Sequence, residues 1–76
     1  MTSLREWRLR QVLSQRALAE RAGISATTIV LVEAGRQVPR LVTMRKIAQA
    51  LGVDAMAIDE FRIAIETALA EEKAAA

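Results

Sequence analysis

The sequence predicts an all-α fold of five short helices in a single domain. Three glycines, Gly23, Gly35 and Gly52, and the only proline, Pro39, fall between stretches of good helix formers. Within those stretches apolar residues recur at spacings of three and four, as on one face of a helix, and no stretch alternates as a strand would. A chain of 76 residues has room for one small core, so we expect residues 1–76 to form one domain.

The first helix is predicted to begin after Ser3, because Ser3 and Glu6 have the spacing of a capping box. A serine at such a position accepts a hydrogen bond from a backbone N–H that has no partner within the helix. One face of this helix carries four residues, Leu4, Trp7, Arg8 and Gln11.

The second and third helices are predicted to begin after the capping residues Ser14 and Ser25 and to end at Gly23 and Gly35. Their inner faces carry Leu18, Ala19, Ala22, Ile29 and Val32. Two short helices joined by a glycine-containing turn make a helix-turn-helix, here over about 14–35. The start of the third helix then presents free backbone N–H groups and small polar side chains, which suit a phosphate or a base edge.

Residues 36–39 are predicted to form a loop, and the fourth helix is predicted to end at Gly52. Its inner face carries Leu41, Met44, Ile47, Ala48 and Leu51. The fifth helix is expected over about 54–72, beginning near Asp54, with residues 71–76 frayed.

The fifth helix also carries a narrow apolar stripe, formed by Ile58, Phe61, Ile65 and Ala68 or Leu69. Because this spacing is that of one seam of a coiled coil, we predict that its first half packs on the core and its second half pairs with a second copy. The candidate dimerisation residues are therefore Ile58, Phe61, Ile65 and Leu69. The alternative is a capping helix with a frayed tail.

Charge is distributed unevenly along the chain, although the net charge is only +2. Residues 1–46 hold nine Arg or Lys against three Glu, a balance of +6, and residues 47–76 hold two against six Asp or Glu, a balance of −4. The front of the molecule is therefore expected to attract polyanions such as nucleic acid. Ordinary solvated faces are the alternative interpretation.

The sequence offers little for catalysis or metal binding. It contains no cysteine and no histidine, so it lacks disulfides, thiolate ligands and the commonest general base. Neighbouring carboxylates such as Asp59 and Glu60 point to different sides of a helix. We therefore predict no enzyme activity, no metal and no cofactor.

Membrane insertion and secretion are not expected either. The longest uncharged run, residues 22–32, has 11 residues, whereas a helix that spans a bilayer needs roughly 20. Four charged residues among the first ten, Arg5, Glu6, Arg8 and Arg10, leave no place for the apolar stretch of a signal peptide. We expect a cytoplasmic protein.

A series of residues at fixed spacing carries a family resemblance. These residues are Gln15, Leu18, Ala19, Ala22, Gly23, Ile24, Ser25, Thr28, Ile29, Val32, Glu33, Gly35, Pro39, Thr43, Ile47, Ala48, Ala50, Leu51, Gly52 and Val53. In this pattern, which covers about residues 4–61, the chain resembles the lambda-repressor-like helix-turn-helix family, the Cro and Xre type of phage and bacterial transcriptional regulators. The resemblance implies a compact five-helix DNA-binding domain in which the second and third helices form the helix-turn-helix.

The resemblance also implies a structural ion pair between Arg8 and Glu33. In this family an arginine of the first helix pairs with the glutamate that ends the recognition helix. An arginine on an apolar face is costly unless it is paired. The pairing would therefore remove Arg8 from the DNA contacts.

The resemblance further implies binding to operator DNA, with the third helix, about 25–34, in the major groove of the duplex and the start of the second helix against the backbone. By position, Gln15 and Arg16 would contact a phosphate, and Ser25 would cap the recognition helix and touch a phosphate itself. Further phosphate contacts would come from Arg36, Gln37 and Arg40. The base-reading positions are occupied by Ala26, Thr27, Thr28, Val30 and Leu31.

These base-reading residues depart from the family pattern, which often has glutamine, arginine, asparagine or serine there. One interpretation is that the apolar residues contact thymine methyl groups while a threonine hydrogen-bonds a base edge, which favours A·T-rich half-sites. A second is that DNA shape and phosphate contacts carry most of the affinity. A third is that Val30 or Leu31 packs inward, so that only one of the two is exposed.

Leu9, Val12 and Val42 are also apolar where the family more often has polar residues. Val12 replaces the glycine that often closes the first helix, so we expect a tight or strained turn there. If these residues join Val30 and Leu31 in one patch, they would mark a surface for a protein partner. The competing function is a helix-turn-helix scaffold that acts mainly as a protein–protein interaction module, with weak, non-specific DNA binding.

The sequence as a whole predicts a sequence-specific transcriptional regulator that binds double-stranded DNA and is associated with the nucleoid. A homodimer is expected, because two copies could read half-sites one helical turn apart. No small-molecule substrate is inferred.

Overall fold

The structure, a computed structural model that describes residues 2–75, contains the five α-helices that the sequence predicts. They are α1 (Leu4–Arg10), α2 (Gln15–Ala22), α3 (Ala26–Glu33), α4 (Leu41–Leu51) and α5 (Asp59–Ala75), with a 3₁₀ turn, Ala55–Ala57, between α4 and α5. Within the described residues, the only strand-like pairing is an isolated parallel bridge between Thr2 and Ile58. The predicted all-α class is confirmed. Met1 and Ala76, the two ends of the predicted domain, lie outside the described residues.

Serine residues cap the first three helices where the sequence predicted. The Oγ atoms of Ser3, Ser14 and Ser25 accept hydrogen bonds from backbone N–H groups two or three residues further on, at 3.2, 3.0 and 3.2 Å. α4 differs, because its cap residue, Arg40, makes no such side-chain bond. The first turn of α4 therefore begins without a side-chain acceptor.

The first four helices all end in the same backbone motif, a Schellman turn. In each, one residue adopts a left-handed backbone, and the turn closes with hydrogen bonds back to carbonyl groups of the last helical turn. Glycine occupies this position after α2, α3 and α4, at φ angles of 71°, 72° and 70°, whereas Val12 occupies it after α1 at a φ of 57°. A β-branched residue is strained in this region, so the strained turn expected at Val12 is confirmed.

All five helices and the residue before α5 contribute to one hydrophobic core. Its buried members are Leu4, Leu18, Ala19, Ala22, Ile29, Val32, Met44, Ile47, Ala48, Leu51, Ile58 and Phe61. Leu41, predicted on the inner face of α4, is instead 70% exposed. Helical side chains lean toward the N-terminus of their helix. Leu41 is the first residue of α4. Its side chain therefore extends beyond the N-terminal end of the helix, where no helical turn packs against the core.

The last helix begins later than predicted. Asp54 caps the 3₁₀ turn instead, since it accepts a hydrogen bond from the backbone N–H of Met56 at 2.8 Å, and α5 begins at Asp59. Ile58, between the two, has an extended backbone and pairs with Thr2, which interrupts the helix. The backbone N–H of Asp59 donates to the carbonyl oxygen of Thr2 at 3.0 Å. The start of α5 is thereby tied to the N-terminal segment.

The end of α5 also differs from the prediction. The helix continues to Ala75 instead of ending near residue 72 or fraying from residue 71; Ala76 lies outside the described residues. Residues 70–75 are all alanine, glutamate or lysine, which are strong helix formers. Residues 66–75 are all exposed. α5 therefore has a packed half, residues 59–65, and an exposed half, residues 66–75, which we name the free half.

Two of the four dimerisation candidates are buried inside the chain's own core. Ile58 and Phe61 are both 0% exposed, so they cannot contact a second copy, and their assignment as dimerisation residues is wrong. Ile65 is half-buried and Leu69 is exposed. The first half of the apolar stripe therefore packs on the core, as predicted, and only its second half is accessible.

Candidate nucleic-acid interface

α2 and α3 form the predicted helix-turn-helix. Gly23 ends α2 in the left-handed conformation, and Ser25 begins α3, so the two helices are joined by residues 23–25. Ile29 and Val32, on the inner face of α3, are buried. α3 is therefore fixed to the domain by one face, and its opposite face points outward.

The outward face of α3 carries the proposed base-reading residues. Thr27 and Val30 are exposed, whereas Ala26, Thr28 and Leu31 are half-buried. Of the two aliphatic residues, Val30 is exposed and Leu31 is half-buried, so the interpretation in which one of them packs inward and only the other is exposed stays open. The polar groups on this face are two threonine hydroxyls, and none of these five residues carries a charge.

Arg8 and Glu33 form the predicted structural ion pair. Arg8 Nε donates to Glu33 Oε2 at 2.7 Å and Arg8 Nη2 donates to Glu33 Oε1 at 2.9 Å, while Nη1 donates to the carbonyl oxygen of Leu13 at 2.8 Å. These hydrogen bonds to Glu33 raise the pKa of the Arg8 guanidinium, against the opposing effect of its burial. The pair joins α1 to the last residue of α3, so it fixes how α3 is presented.

Gln15, predicted to contact a phosphate, has a partner inside the protein that the sequence did not reveal. Its Nε2 atom donates to Glu33 Oε1 at 3.2 Å, between residues 18 positions apart. The amide nitrogen carries two N–H groups, so the second one is available to an acceptor outside the protein. Glu33 thereby orients the side chain at the start of α2 as well as the arginine of α1.

Three exposed arginines flank α3 in the chain. Arg16 lies in the first turn of α2, and Arg36 and Arg40 lie in the loop between α3 and α4. Within residues 2–75, the guanidinium groups of these three arginines and the amide of Gln37 make no hydrogen bond or ion pair. Cationic groups that are not neutralised inside the protein are available to the phosphates of a polyanion.

The start of α4 adds a feature that the sequence analysis missed. The first N–H groups of a helix have no partner within the helix, and Arg40 supplies no side-chain acceptor for them. These N–H groups lie directly after the loop that contains Arg36 and Arg40. The signal was present in the sequence, because position 40 lacks the serine that caps the three preceding helices.

The other apolar residues that depart from the family pattern are exposed as well. Leu9 lies in the last turn of α1, Val12 lies two residues after the end of that helix, and Val42 lies in the first turn of α4. They belong to two different segments of the chain. Their exposure leaves a protein-binding surface as a second hypothesis.

Across the described part of the chain, no three His, Cys, Asp or Glu side chains gather closely enough to hold a metal ion. No helix within residues 2–75 combines the length and the apolar character needed to cross a bilayer.

Comparison with known proteins points to the same part of the chain. A family profile described as a helix-turn-helix domain matches residues 2–61. An uncharacterised HTH-type transcriptional regulator of Methanothermobacter thermautotrophicus is 45% identical over 51 residues, which cover 67% of this chain and 74% of that protein. No solved structure matches significantly. The matched span ends within the packed half of α5, so the free half lies beyond it.

Proposed function

The chain belongs to the helix-turn-helix domain family and is a DNA-binding regulator, and on this premise we propose that it recognises specific sequences in double-stranded DNA. In the proposed complex α3, about residues 25–34, lies in the major groove, and the start of α2 lies against the sugar–phosphate backbone. One observation carries the proposal: the outward face of α3 is uncharged and is flanked by arginines that make no hydrogen bond or ion pair through their guanidinium groups within residues 2–75. Residues 1–76 would act as one domain in this role.

The dimensions of α3 support this placement. An α-helix with its side chains is about 10–12 Å across, and the major groove, about 12 Å wide, admits it. The eight residues of α3 give a helix of about two turns to lie in the groove. Ile29 and Val32 hold the inner face. The side chains proposed to reach base edges are therefore those of Ala26, Thr27, Thr28, Val30 and Leu31.

The proposed base contacts are mainly apolar. The methyl groups of Ala26, Val30 and Leu31 pack against the C5-methyl groups of thymines. The hydroxyl of Thr27 or Thr28 hydrogen-bonds a base edge. The preferred half-sites are therefore rich in A·T pairs, and the narrow minor groove of such sequences adds a contribution from DNA shape.

The proposed phosphate contacts come from both sides of α3. Gln15 donates its second N–H to a phosphate oxygen while Glu33 holds the first, as the hydrogen bond of 3.2 Å between them allows. The remaining contacts come from Arg16, Ser25, Arg36, Gln37 and Arg40. They position the helix without reading sequence, because phosphates are the same at every base pair.

We expect the regulator to act as a homodimer in the cytoplasm, associated with the nucleoid. Two recognition helices about 34–36 Å apart would read two half-sites in successive major grooves. The accessible second half of the α5 stripe, Ile65 and Leu69, is the surface proposed for this association.

Selection of bound duplexes from a random library at physiological salt, with the mass of the complex measured in parallel, tests the proposal. We expect an enriched A·T-rich motif with two symmetric half-sites, bound by two copies. No enriched sequence, together with binding only at low salt, would contradict it.

A second candidate function is a protein–protein interaction module that uses the same scaffold. It is favoured by the exposure of four apolar side chains, those of Leu9, Val12, Val30 and Val42. Exposed apolar side chains can bind a protein partner but make no hydrogen bonds to base edges. The selection separates the two functions, because an interaction module would bind all duplexes weakly and alike.

A further inference from the structure

The free half of α5 is helical although none of its residues is buried. Residues 66–75 are all exposed, and a helical segment of this length is marginal in water without packing partners. The segment also lies beyond residues 2–61, which match the family profile. A partner that covers one side of the free half would stabilise it.

The apolar stripe of α5 continues from the core onto the free half. Phe61 is 0% exposed, Ile65 is half-buried and Leu69 is 56% exposed, and the three residues are spaced by four. Glu72 follows on the same side, seven residues after Ile65.

A groove opens between α4 and α5 on this same side. Leu41, Ala48 and Ile65 give it an apolar lining, and Arg45 and Gln49 of α4 line it as well. Ile65 belongs both to the groove and to the stripe, so the groove and the exposed part of the stripe form one continuous surface. Leu41, whose exposure the sequence did not predict, is part of this surface.

One charge of the groove, that of Arg45, is complementary to the acidic free half. Arg45 makes no ion pair within the described residues, and neither does Glu72. The free half carries three glutamates against one lysine, Lys73. Asp54 also lines the groove, where it accepts the hydrogen bond that caps the 3₁₀ turn and keeps its negative charge, so the attraction for an acidic helix is confined to the Arg45 side. The groove thus suits an acidic helix with an apolar edge, which is what the free half itself offers.

We propose that two copies associate through a two-fold interface in which the free half of each α5 lies in the α4–α5 groove of the other. Leu69 of one copy packs against Ile65 and Leu41 of the other, and Glu72 of one copy pairs with Arg45 of the other. Each contact is made twice, because the same surface serves both copies. This proposal depends on the homodimer of the proposed function, and it specifies which residues form the dimer interface.

Sedimentation velocity over a wide concentration series tests the interface with two matched variants of the full chain. We expect wild type to show a monomer–dimer equilibrium and Leu69→Glu to raise the dimer Kd at least about tenfold. Ile63→Glu is the control, since Ile63 is also 56% exposed on α5 but lines the opposite side, with Val38. It should leave the Kd unchanged, and circular dichroism verifies that both variants keep their helix content.

A charge reversal tests the ion pair independently of folding. Arg45→Glu and Glu72→Arg should each raise the dimer Kd several-fold, and the double variant should restore it, which a folding defect cannot do. Equal losses for Leu69→Glu and Ile63→Glu, no rescue by the double variant, or a wild type that stays monomeric with and without DNA would overturn the interface. Binding to a single half-site is measured in parallel, because sequence-selective binding by a monomer would leave the proposed function standing without this dimer.

Discussion

The inner and outer faces of α3 are under different physical constraints. On the inner face Ile29 and Val32 are buried, and Glu33 is held by Arg8 and Gln15 at distances of 2.7 to 3.2 Å. On the outer face Thr27 and Val30 are exposed. The difference shows that folding dictates the inner residues, while the outer ones are available to a ligand. Substitutions on the two faces should therefore separate into losses of stability and losses of binding.

The largest expected effect is on the inner side. Arg8→Ala leaves the carboxylate of Glu33, whose side chain is 5% exposed, without its cationic partner. Removing one member of a buried ion pair costs about 3–5 kcal/mol of unfolding free energy. Urea unfolding followed by circular dichroism measures the loss.

Two controls define the origin of that loss. The double variant Arg8→Met, Glu33→Leu should recover most of the stability, because it leaves no unpaired buried charge. Arg62→Ala, which breaks an exposed ion pair with Glu66, should change stability little. If Arg8→Ala were no more harmful than Arg62→Ala, the Arg8–Glu33 pair would not hold α3.

The adjacent residues Ile29 and Val30 give the sharpest contrast between the faces. Ile29→Ala removes a fully buried side chain and should cost about 2–5 kcal/mol of stability. Val30→Ala should leave the thermal midpoint nearly unchanged and weaken binding to the preferred duplex. Thermal unfolding and DNA titration of both variants decide the point, and similar midpoints for the two would contradict the assignment of faces.

Two other outer residues should affect sequence preference without affecting folding. Thr27→Ala and Leu31→Ala are each expected to cost about 1–3 kcal/mol of binding free energy on the preferred site. Binding to a scrambled duplex should be unchanged. Fluorescence anisotropy with both duplexes measures this difference, and an equal loss on both would remove these residues from base recognition.

Arg36 and Arg40 should behave differently from the outer face of α3. Replacing either by alanine should weaken binding to all duplexes alike and reduce the slope of log K against log salt by about one. A salt titration on preferred and scrambled duplexes provides the measurement. A changed sequence preference with an intact salt slope would show that the residue reads bases.

The smallest effect is expected outside both faces, at Val12. Val12→Gly relieves a left-handed β-branched residue, which costs roughly 1–2 kcal/mol, but makes the unfolded chain more flexible, so a net gain of about 0.5–1 kcal/mol is expected. DNA binding should not change. Gly52→Val is the reverse test, since it places valine at a φ of 70° with no atom within 4 Å of the new Cβ. It should destabilise the fold, and a neutral result for both variants would mean that Val12 is unstrained.

Local features of the fold were predictable from the sequence. Serine caps and glycine ends depend on residues within one helical turn, so the bounds of α2 and α3 followed from Ser14, Gly23 and Ser25. The exposed position of Leu41 and the extended backbone of Ile58 were not predictable, because they depend on where a helix meets its neighbours. The bridge from Ile58 to Thr2 joins two residues that are far apart in the sequence.

The candidate site was predictable in its residues but only partly in its contacts. The resemblance supplied the Arg8–Glu33 pair, and the structure contains it. The hydrogen bond from Gln15 to Glu33 was missed, because no local pattern relates the start of α2 to the end of α3. The uncapped start of α4 could have been found, since Arg40 stands where a capping side chain is usual.

The most direct test of the central claim, that the outer face of α3 reads DNA sequence, is duplex selection with wild type and Leu31→Ala side by side at physiological salt. The account predicts that wild type enriches A·T-rich half-sites. The variant should lose the preference for thymine at the positions that Leu31 contacts, while its affinity for non-specific duplexes, which depends on phosphate contacts, stays the same. Enrichment of the same motif by both proteins would contradict it, because base recognition would then lie elsewhere on the molecule.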